Sequence, residues 1–293
     1  MLLTDAIPPD RQGKVRDIYD LGEQLLMVAT DRLSAFDVVL PDLIPHKGAV
    51  LTQMSIYWFE MFDAVIGSHF ISADVSEYPA RFRPYASELK GRSMLVHKVE
   101  MFPVECIVRG YMAGSAWQEY QRTGTVGGVE VPTGLVEASR LEDPIYTPTT
   151  KGAPGEPDLP LSIDQTVEML GRTPAMTLCV DSLEIYRMVR DMAAHRGIII
   201  ADTKFEFGML NGEFVVADEL LTPDSSRFWP SGEYQEGREQ PSYDKQVVRD
   251  WLRDNWDRQG LPPHLPAEVI EATSQRYIQA FELLTGQEFS TDI

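Results

Sequence analysis

IIIADTKFEFGMLNGEFVVADELLTPDSSR, residues 198–227, holds two runs of alternating side chains separated by Asn211-Gly212. Asn-Gly supplies two neighbouring residues that tolerate positive φ, which a tight β-hairpin requires, so the stretch reads as strand, turn, strand. In the first strand Asp202, Lys204 and Glu206 recur at period two and project from one face, while Phe205 and Phe207 take the other face and point into a core. Six acids (Asp202, Glu206, Glu213, Asp218, Glu219, Asp224) stand in this segment against Lys204 and Arg227. A strict two-residue loop pairs Glu206 with Ala217. A three-residue loop using Gly212 as a bulge shifts the register by one and brings Lys204 opposite Asp218. The second register is the expectation, because it gathers Lys204, Glu206 and Asp218 into one site. Carboxylates on a rigid sheet suit Mg²⁺, which takes one or two protein carboxylates plus phosphates and waters. A solvated hairpin face is the competing reading; Lys204 within the trio and the turn Pro223–Arg227 behind it favour a site.

Outward from the hairpin, the chain mixes strands and helices without regular βαβ alternation, the pattern of an α+β fold. Lys14–Asp20, a turn at Gly22 and Gln24–Thr30 read as strand, turn, strand. Leu51, Met54, Trp58, Met61 and Val65 fall at helical spacing and predict a helix over Ala49–Ile66. Met94–Val99 and Val104–Val108 are β-branched runs. Ser162 and Gln165 have capping-box spacing. Thr173-Pro174 opens a longer helix with a buried face of Cys179, Leu183, Tyr186, Val189 and Ala193, stopped at Gly197. Two amphipathic helices close the chain, near Val247–Trp251 and Pro266–Leu284. Thr147–Pro160 and Thr222–Tyr243, broken by Pro and Gly, read as long functional loops.

The 293 residues carry 26 basic and 45 acidic side chains, a net charge of −19. Such a surface repels polyanions, so nucleic acid and anionic membrane are excluded as partners. A phosphorylated substrate would need local cations or a divalent metal. Two cysteines, Cys106 and Cys179, lie in apolar runs and give neither a disulfide framework nor a metal pair. No membrane span or secretory leader is recognisable, so a cytoplasmic location is expected. The five histidines have no zinc spacing, and no G-x-S-x-G elbow accompanies them.

Cations that could offset the field occur in two places. Gly13-Lys14-Val15-Arg16 is a glycine-initiated turn feeding a strand, able to cover phosphates, although a surface Lys/Arg pair is the commoner meaning of such a sequence. Arg109 follows an apolar strand, and Gly114-Ser115 then opens a helix. A guanidinium fork, a hydroxyl and a helix start together make a plausible phosphomonoester pocket.

Taken in order, GKVRDIYD (from Gly13), ATDRLSAFD (Ala29), IPHKGAVLTQMS (Ile44), VECIVRGYMAGSAWQEY (Val104), ADTKFEFG (Ala201), DELLTPDSSRFW (Asp218) and YDKQVVRDWL (Tyr243) resemble the SAICAR synthetase family in its longer, yeast-like form. The resemblance runs in register from about Gly13 to Leu284. It implies an ATP-dependent ligase of purine biosynthesis that joins the phosphoribosyl imidazole carboxylate CAIR to L-aspartate, giving SAICAR, ADP and phosphate through an acyl phosphate. It also implies two lobes, a small N-terminal antiparallel-sheet lobe (1–102) and a larger α+β lobe (103–293) that includes the closing helices, with a kinase-like or ATP-grasp-like ATP site. On that basis Gly13, Lys14 and Arg16 cover the ATP phosphates, and Lys98, Glu100 and Met101 flank adenine. Glu206 and Asp218 bind Mg²⁺ beside Lys204. Arg109, Ser115 and Arg227 match the pocket for the CAIR phosphate. Asp37, Asp202, Lys151 and Asp158 fall in substrate-facing motifs, with Lys245 and Arg249 closing over them. A monomer or small homo-oligomer is expected. A metal-dependent kinase or ATPase with the same phosphate site, and a noncatalytic nucleotide-binding protein, are the alternatives; the first predicts ADP release without aspartate, the second degenerate site positions.

Overall fold

A computed structural model of the chain describes residues 3–36, 38–152 and 158–291. Its packing divides into two compact units: Met1–Val99 with Thr222–Asp224 and Tyr243–Ile293, and Glu100–Leu221 with Ser225–Ser242. Among the described residues no helix is long and apolar enough to cross a membrane.

In the first unit an antiparallel sheet runs in the order Arg11–Gln12, Arg16–Asp20, Gln24–Ala29, Ser93–His97, Phe70–Ser72. The expected turn is present: Gly22 has φ 92° and donates its amide to Asp20 Oδ1. Tyr19, Leu26, Val28 and Leu95 on this sheet pack against Tyr78, Phe82 and Leu89. The helix Lys47–Phe62 starts two residues earlier and ends four residues sooner than its spacing predicts, leaving Val65 exposed. Its early start is permitted by Gly48, where a Cβ would lie 2.4 Å from the carbonyl oxygen of Ala29; only glycine allows this approach.

The closing helices, Gln246–Asn255 and Ala267–Thr285, belong to this first unit and not to the 103–293 lobe of the sequence-based division. Val248, Leu252, Leu265 and Val269 form one cluster with Leu33, Ala35 and Leu40 from the hairpin Arg32–Ala35/Val38–Leu43 and with Ile44 just after it. Each such fully buried aliphatic contributes roughly 1.5–3 kcal/mol. Amphipathic periodicity identifies a buried face but not the surface that covers it, so the sequence alone could not make this attachment.

The second unit is organised about one long strand, Ile198–Leu210, flanked along its length by Val104–Tyr111, Ser226–Pro230, Glu213–Ala217 and Glu100–Met101. Arg140–Tyr146 and Thr149–Thr150 extend the sheet beyond Val104–Tyr111. The segment Thr222–Tyr243, expected as a loop, therefore contains a strand; Phe228 and Trp229 are buried, and their burial outweighs the flanking breakers. Behind the sheet runs the helix Arg172–His195, burying Cys179, Tyr186, Val189 and Ala193 as its spacing predicts; Leu183 is only half buried, and Leu178, Ser182 and Ile185 complete the face. Tyr186 donates to the carbonyl of Ile200, and its hydroxyl occupies the space where a side chain at Gly110 would stand. Ser162 and Gln165 form the expected capping box.

The hairpin register corrects the sequence reading. Leu210 pairs with Glu213 and Glu206 with Ala217, so the loop has two residues and Lys204 is not opposite Asp218. Asn211 (φ 52°) and Gly212 (φ 88°) both adopt positive φ, the primed turn whose twist matches the strands, and no bulge is needed.

Candidate active site

Three side chains stand in a row across the sheet. Asp202 is the register partner of Arg109 on one neighbouring strand and of Arg227 on the other, so all three project from one face as adjacent cross-strand residues. Arg227 Nη1 donates to Asp202 Oδ2 at 2.5 Å, and Arg109 Nη1 lies 3.6 Å from the same oxygen. Arg109 is almost fully buried. Its Nε donates to Thr147 Oγ1 (2.9 Å) and its Nη2 to Ser115 Oγ (3.1 Å). Burial pulls the Arg109 guanidinium below its ordinary pKa, and Asp202 opposes that pull. Ser115 sits in the first turn of the helix Gly114–Thr123, whose amides add donors at the same place. Gly114 (φ 54°) lies directly beneath Arg227: a Cβ there would be 2.4 Å from Nη2. Arg109, Ser115 and Thr147 line a cavity of about 590 Å³ that also reaches Glu105 and Asp158. Two guanidiniums held by one carboxylate, with the Thr147 and Ser115 hydroxyls on Arg109, are groups able to bind an anion, although Glu105, Glu119 and Asp158 also line the cavity.

Further along the same face stand the carboxylates. Period-two alternation carries Asp202 to Lys204 and Glu206, and carries Arg109 past Ile107, which pairs with Lys204, to Glu105. Lys204 Nζ lies 2.5 Å from Glu105 Oε1 and 3.4 Å from Glu206 Oε1; Lys151 bridges to Glu206 Oε2. Burial alone would lower the pKa of Lys204, but Glu206, Glu105 and Asp218 together raise it above its ordinary value. Burial raises the Glu105 carboxyl, and Lys204 offsets part of that rise. Asp218 ends the strand Glu213–Ala217 at φ 67°, a conformation uncommon for a residue with a Cβ. The charge of Asp218 is thus felt at Lys204 without the register first expected. Glu206 and Asp218 are hard-oxygen donors of the type Mg²⁺ takes alongside waters and substrate oxygens; among the described residues no group of three or more acidic, His or Cys side chains gathers as a metal site.

In the first unit, Gly13 and Arg16 share one turn, the Gly13 amide donating to the Arg16 carbonyl. Arg32 braces that turn: Nη2 donates to the Gly13 carbonyl, Nε to the Lys14 carbonyl, and the guanidinium pairs with Asp17 at 2.8 Å. Lys98 Nζ pairs with Asp20. In the second unit, Glu100 and Met101 form a short strand against Met209 and Gly208.

Lys245 and Arg249, expected to close over substrate, have protein partners. Lys245 Nζ lies 3.4 Å from Asp224 Oδ1 and donates to the Ser34 carbonyl, and Arg249 pairs with Asp244. Asp224 is the centre of a buried network in the first unit, with Lys47 Nζ at 2.8 Å and the Tyr277 hydroxyl donating at 2.7 Å. Lys47 is 0% exposed. Burial would raise the Asp224 carboxyl; Lys245 and Lys47 overcome it and hold the group far below the usual carboxylate range. Asp37 lies outside the described residues. Asp158 accepts from the Gly152 amide and lines the second unit's cavity.

The sequence reading missed Arg32, Lys47, Glu105 and Thr147. A lone acid inside the apolar run Val104–Val108 was the available signal for Glu105, and a lysine opening an apolar helix was the signal for Lys47. Cys106 and Cys179 are free, buried thiols, and burial pushes Cys106 up to about 12, well outside the reactive range.

The chain is similar to known proteins along nearly its whole length. A family profile described as SAICAR synthetase matches residues 10–262. Phosphoribosylaminoimidazole-succinocarboxamide synthase of Geobacter sulfurreducens is 51% identical over 277 residues, covering 94% of each chain, and that of Desulforapulum autotrophicum is 52% identical over 279 residues, covering 95% of each. Among solved structures, SAICAR synthase of Saccharomyces cerevisiae complexed with SAICAR superposes with a TM-score of 0.88 at 41% identity, covering 98% of both chains.

Proposed function

The chain belongs to the SAICAR synthetase family, which uses ATP to ligate CAIR and L-aspartate in purine biosynthesis, and from that premise we propose how its residues divide the work. A carboxylate is a poor acyl donor because its leaving group would be oxide. The CAIR carboxylate oxygen first takes the γ-phosphoryl group, releasing ADP. The aspartate amine then attacks the carbonyl carbon; the C–N bond forms, the C–O bond to phosphate breaks, and the nitrogen loses a proton. Such steps are governed by positioning and by charge neutralisation.

Arg109, Ser115 and Arg227 bind the CAIR phosphate, and Asp202 positions both guanidiniums. Lys204 neutralises charge at the reacting carboxylate, with Lys151 and Asp158 contacting substrate nearby. Gly13, Lys14 and Arg16 cover the ATP phosphates, and Lys98, Glu100 and Met101 flank the base. Glu206 and Asp218 would hold Mg²⁺, which when bound would supply charge neutralisation at the phosphoryl oxygens. Asp37, Lys245 and Arg249 complete the proposed set, Lys245 through Asp224 and Arg249 through Asp244. The proposal also includes a cytoplasmic location, the ATP-covering role of residues 1–102, a substrate and metal role for the second unit in place of the whole 103–293 lobe, and action as a monomer or small homo-oligomer.

The observation that carries the substrate assignment is the row Arg109, Asp202, Arg227 with Ser115 beside it, a built anion pocket in a chain of net charge −19. ADP formation with CAIR and Mg²⁺, measured with and without L-aspartate, tests it. Full dependence on aspartate is expected; equal release without it returns the protein to the kinase or ATPase reading. Asp218→Asn should lose turnover chiefly through weaker metal binding, partly restored at high Mg²⁺. Wild-type activity at low Mg²⁺ in that variant removes Asp218 from the ligand set.

A further inference from the structure

Glu119, on the helix Gly114–Thr123, lines the same cavity as Arg109 and Ser115, where a carboxylate by itself opposes the binding of a phosphate. Its hydrogen bonds give it another task. Oε2 accepts from the Gly127 amide (2.9 Å), and Oε1 accepts from the Gly128 amide (3.1 Å) and the Thr125 hydroxyl (3.0 Å). Gly127 (φ 59°) and Gly128 (φ 75°) are the two loop residues of the hairpin Thr125–Val126/Val129–Glu130, a primed turn whose loop amides the ladder does not use. Strands of two residues are too short to hold a place of their own. Val126 anchors the hairpin in the core beside Met112 and Ala116, and Glu119 anchors the turn itself.

The turn packs against Thr147. A Cβ at Gly127 would stand 2.6 Å from Thr147 Cγ2, an approach only glycine permits. Thr147 is buried and β-branched, so a rotation about χ1 would exchange the places of its methyl and hydroxyl groups. With Cγ2 against Gly127, Oγ1 accepts from Arg109 Nε at 2.9 Å. We propose, on the reading that Arg109 binds the CAIR phosphate, that Glu119 is a positioning residue for that phosphate: it holds the Gly127-Gly128 turn against Thr147, which fixes the Thr147 rotamer and through it the Arg109 fork. Glu119 touches no substrate in this role, and three donors from its own unit take up its oxygens.

Initial-rate assays on the full chain compare wild type with Glu119→Ala, Thr147→Val, the double variant and Arg109→Lys. Glu119→Ala should raise KM for CAIR about tenfold with KM for ATP unchanged, whereas a smaller folded fraction alone would lower kcat and leave both KM values in place. Thr147→Val should raise KM for CAIR to a similar degree. The double variant should lie within about twofold of Thr147→Val, because the two side chains act in series on one guanidinium. Glu119→Gln keeps one acceptor oxygen, so its KM should fall between wild type and Glu119→Ala, and it carries the test if Glu119→Ala does not fold. In ¹H–¹⁵N spectra the Arg109 Nε–H resonance, which reports the bond to Thr147 Oγ1, should move in both Glu119 variants. A wild-type KM for CAIR in Arg109→Lys would overturn the pocket assignment and this role with it. If Arg109→Lys raises that KM while the Glu119 variants do not, if the double variant shows the product of the single effects, or if the Arg109 resonance stays in place, the role of Glu119 alone is overturned.

Discussion

Gly114→Ala separates the geometry of the anion pocket from the stability of the fold. The backbone at Gly114 has φ 54°, and a Cβ built there stands 2.4 Å from Nη2 of Arg227 and 2.8 Å from its Cζ. Ordinary contact begins near 3.4 Å, so the guanidinium must withdraw by about 1 Å. Because the group is the end of a flexible side chain, the retreat costs the fold little. The alanine itself adds roughly 1–2 kcal/mol for a left-handed conformation. The larger effect falls on function. Withdrawal takes one fork away from the phosphate and strains its 2.5 Å contact with Asp202. Loss of a charge-assisted hydrogen bond is worth about 1.5–3 kcal/mol, so KM for CAIR should rise roughly tenfold to hundredfold, with KM for ATP unchanged. Gly124→Ala is the matched control: it has φ 75° with nothing within 4 Å of the added Cβ, hence the same backbone strain without the clash. Both variants should lose similar stability in urea titration, and only Gly114→Ala should lose affinity for CAIR in initial-rate assays. If the two variants share one KM for CAIR, the placement of Arg227 in the phosphate pocket is wrong.

Asp224→Ala removes the buried carboxylate that pairs with Lys47 at 2.8 Å and should cost about 3–5 kcal/mol in equilibrium unfolding. The folded-state pKa of Asp224 is depressed, so its contribution is complete above the unfolded carboxylate pKa of about 4 and declines as pH falls through the lower folded value. The stability gap between wild type and variant should thus be flat from pH 5 to 8 and narrow only in acid; a gap that closes near neutrality contradicts the pairing. Arg32→Lys removes the fork that holds the Gly13 and Lys14 carbonyls and should raise KM for ATP severalfold with KM for CAIR unchanged, as read from initial rates.

The sequence reading succeeded where the physics is local. The Ser162/Gln165 capping box, the Gly22 turn and the face shared by Asp202, Lys204 and Glu206 all follow from residues a few positions apart. It failed where two local solutions compete. Asn211-Gly212 permits both a two-residue loop and a bulged one, and the preference for gathering three charged groups led to the wrong register. It was also silent on partners far along the chain: nothing near Lys47 announces Asp224, and nothing near Gly13 announces Arg32 as its brace.

By itself the sequence determined the alternation that sets Asp202, Lys204 and Glu206 on one face, the cations at Arg109 and Arg227, the family, and with it the ligase chemistry. Tertiary structure alone decided that Arg109 and Arg227 flank the same carboxylate, that Glu105 completes the charge cluster around Lys204, and that the closing helices pack in the first unit. The physical reason is the range of the interactions. Side-chain direction along a strand is a property of its own backbone, whereas the neighbour across a strand or beneath a helix is chosen by which apolar surfaces cover one another, and that choice is made only when the whole chain has packed.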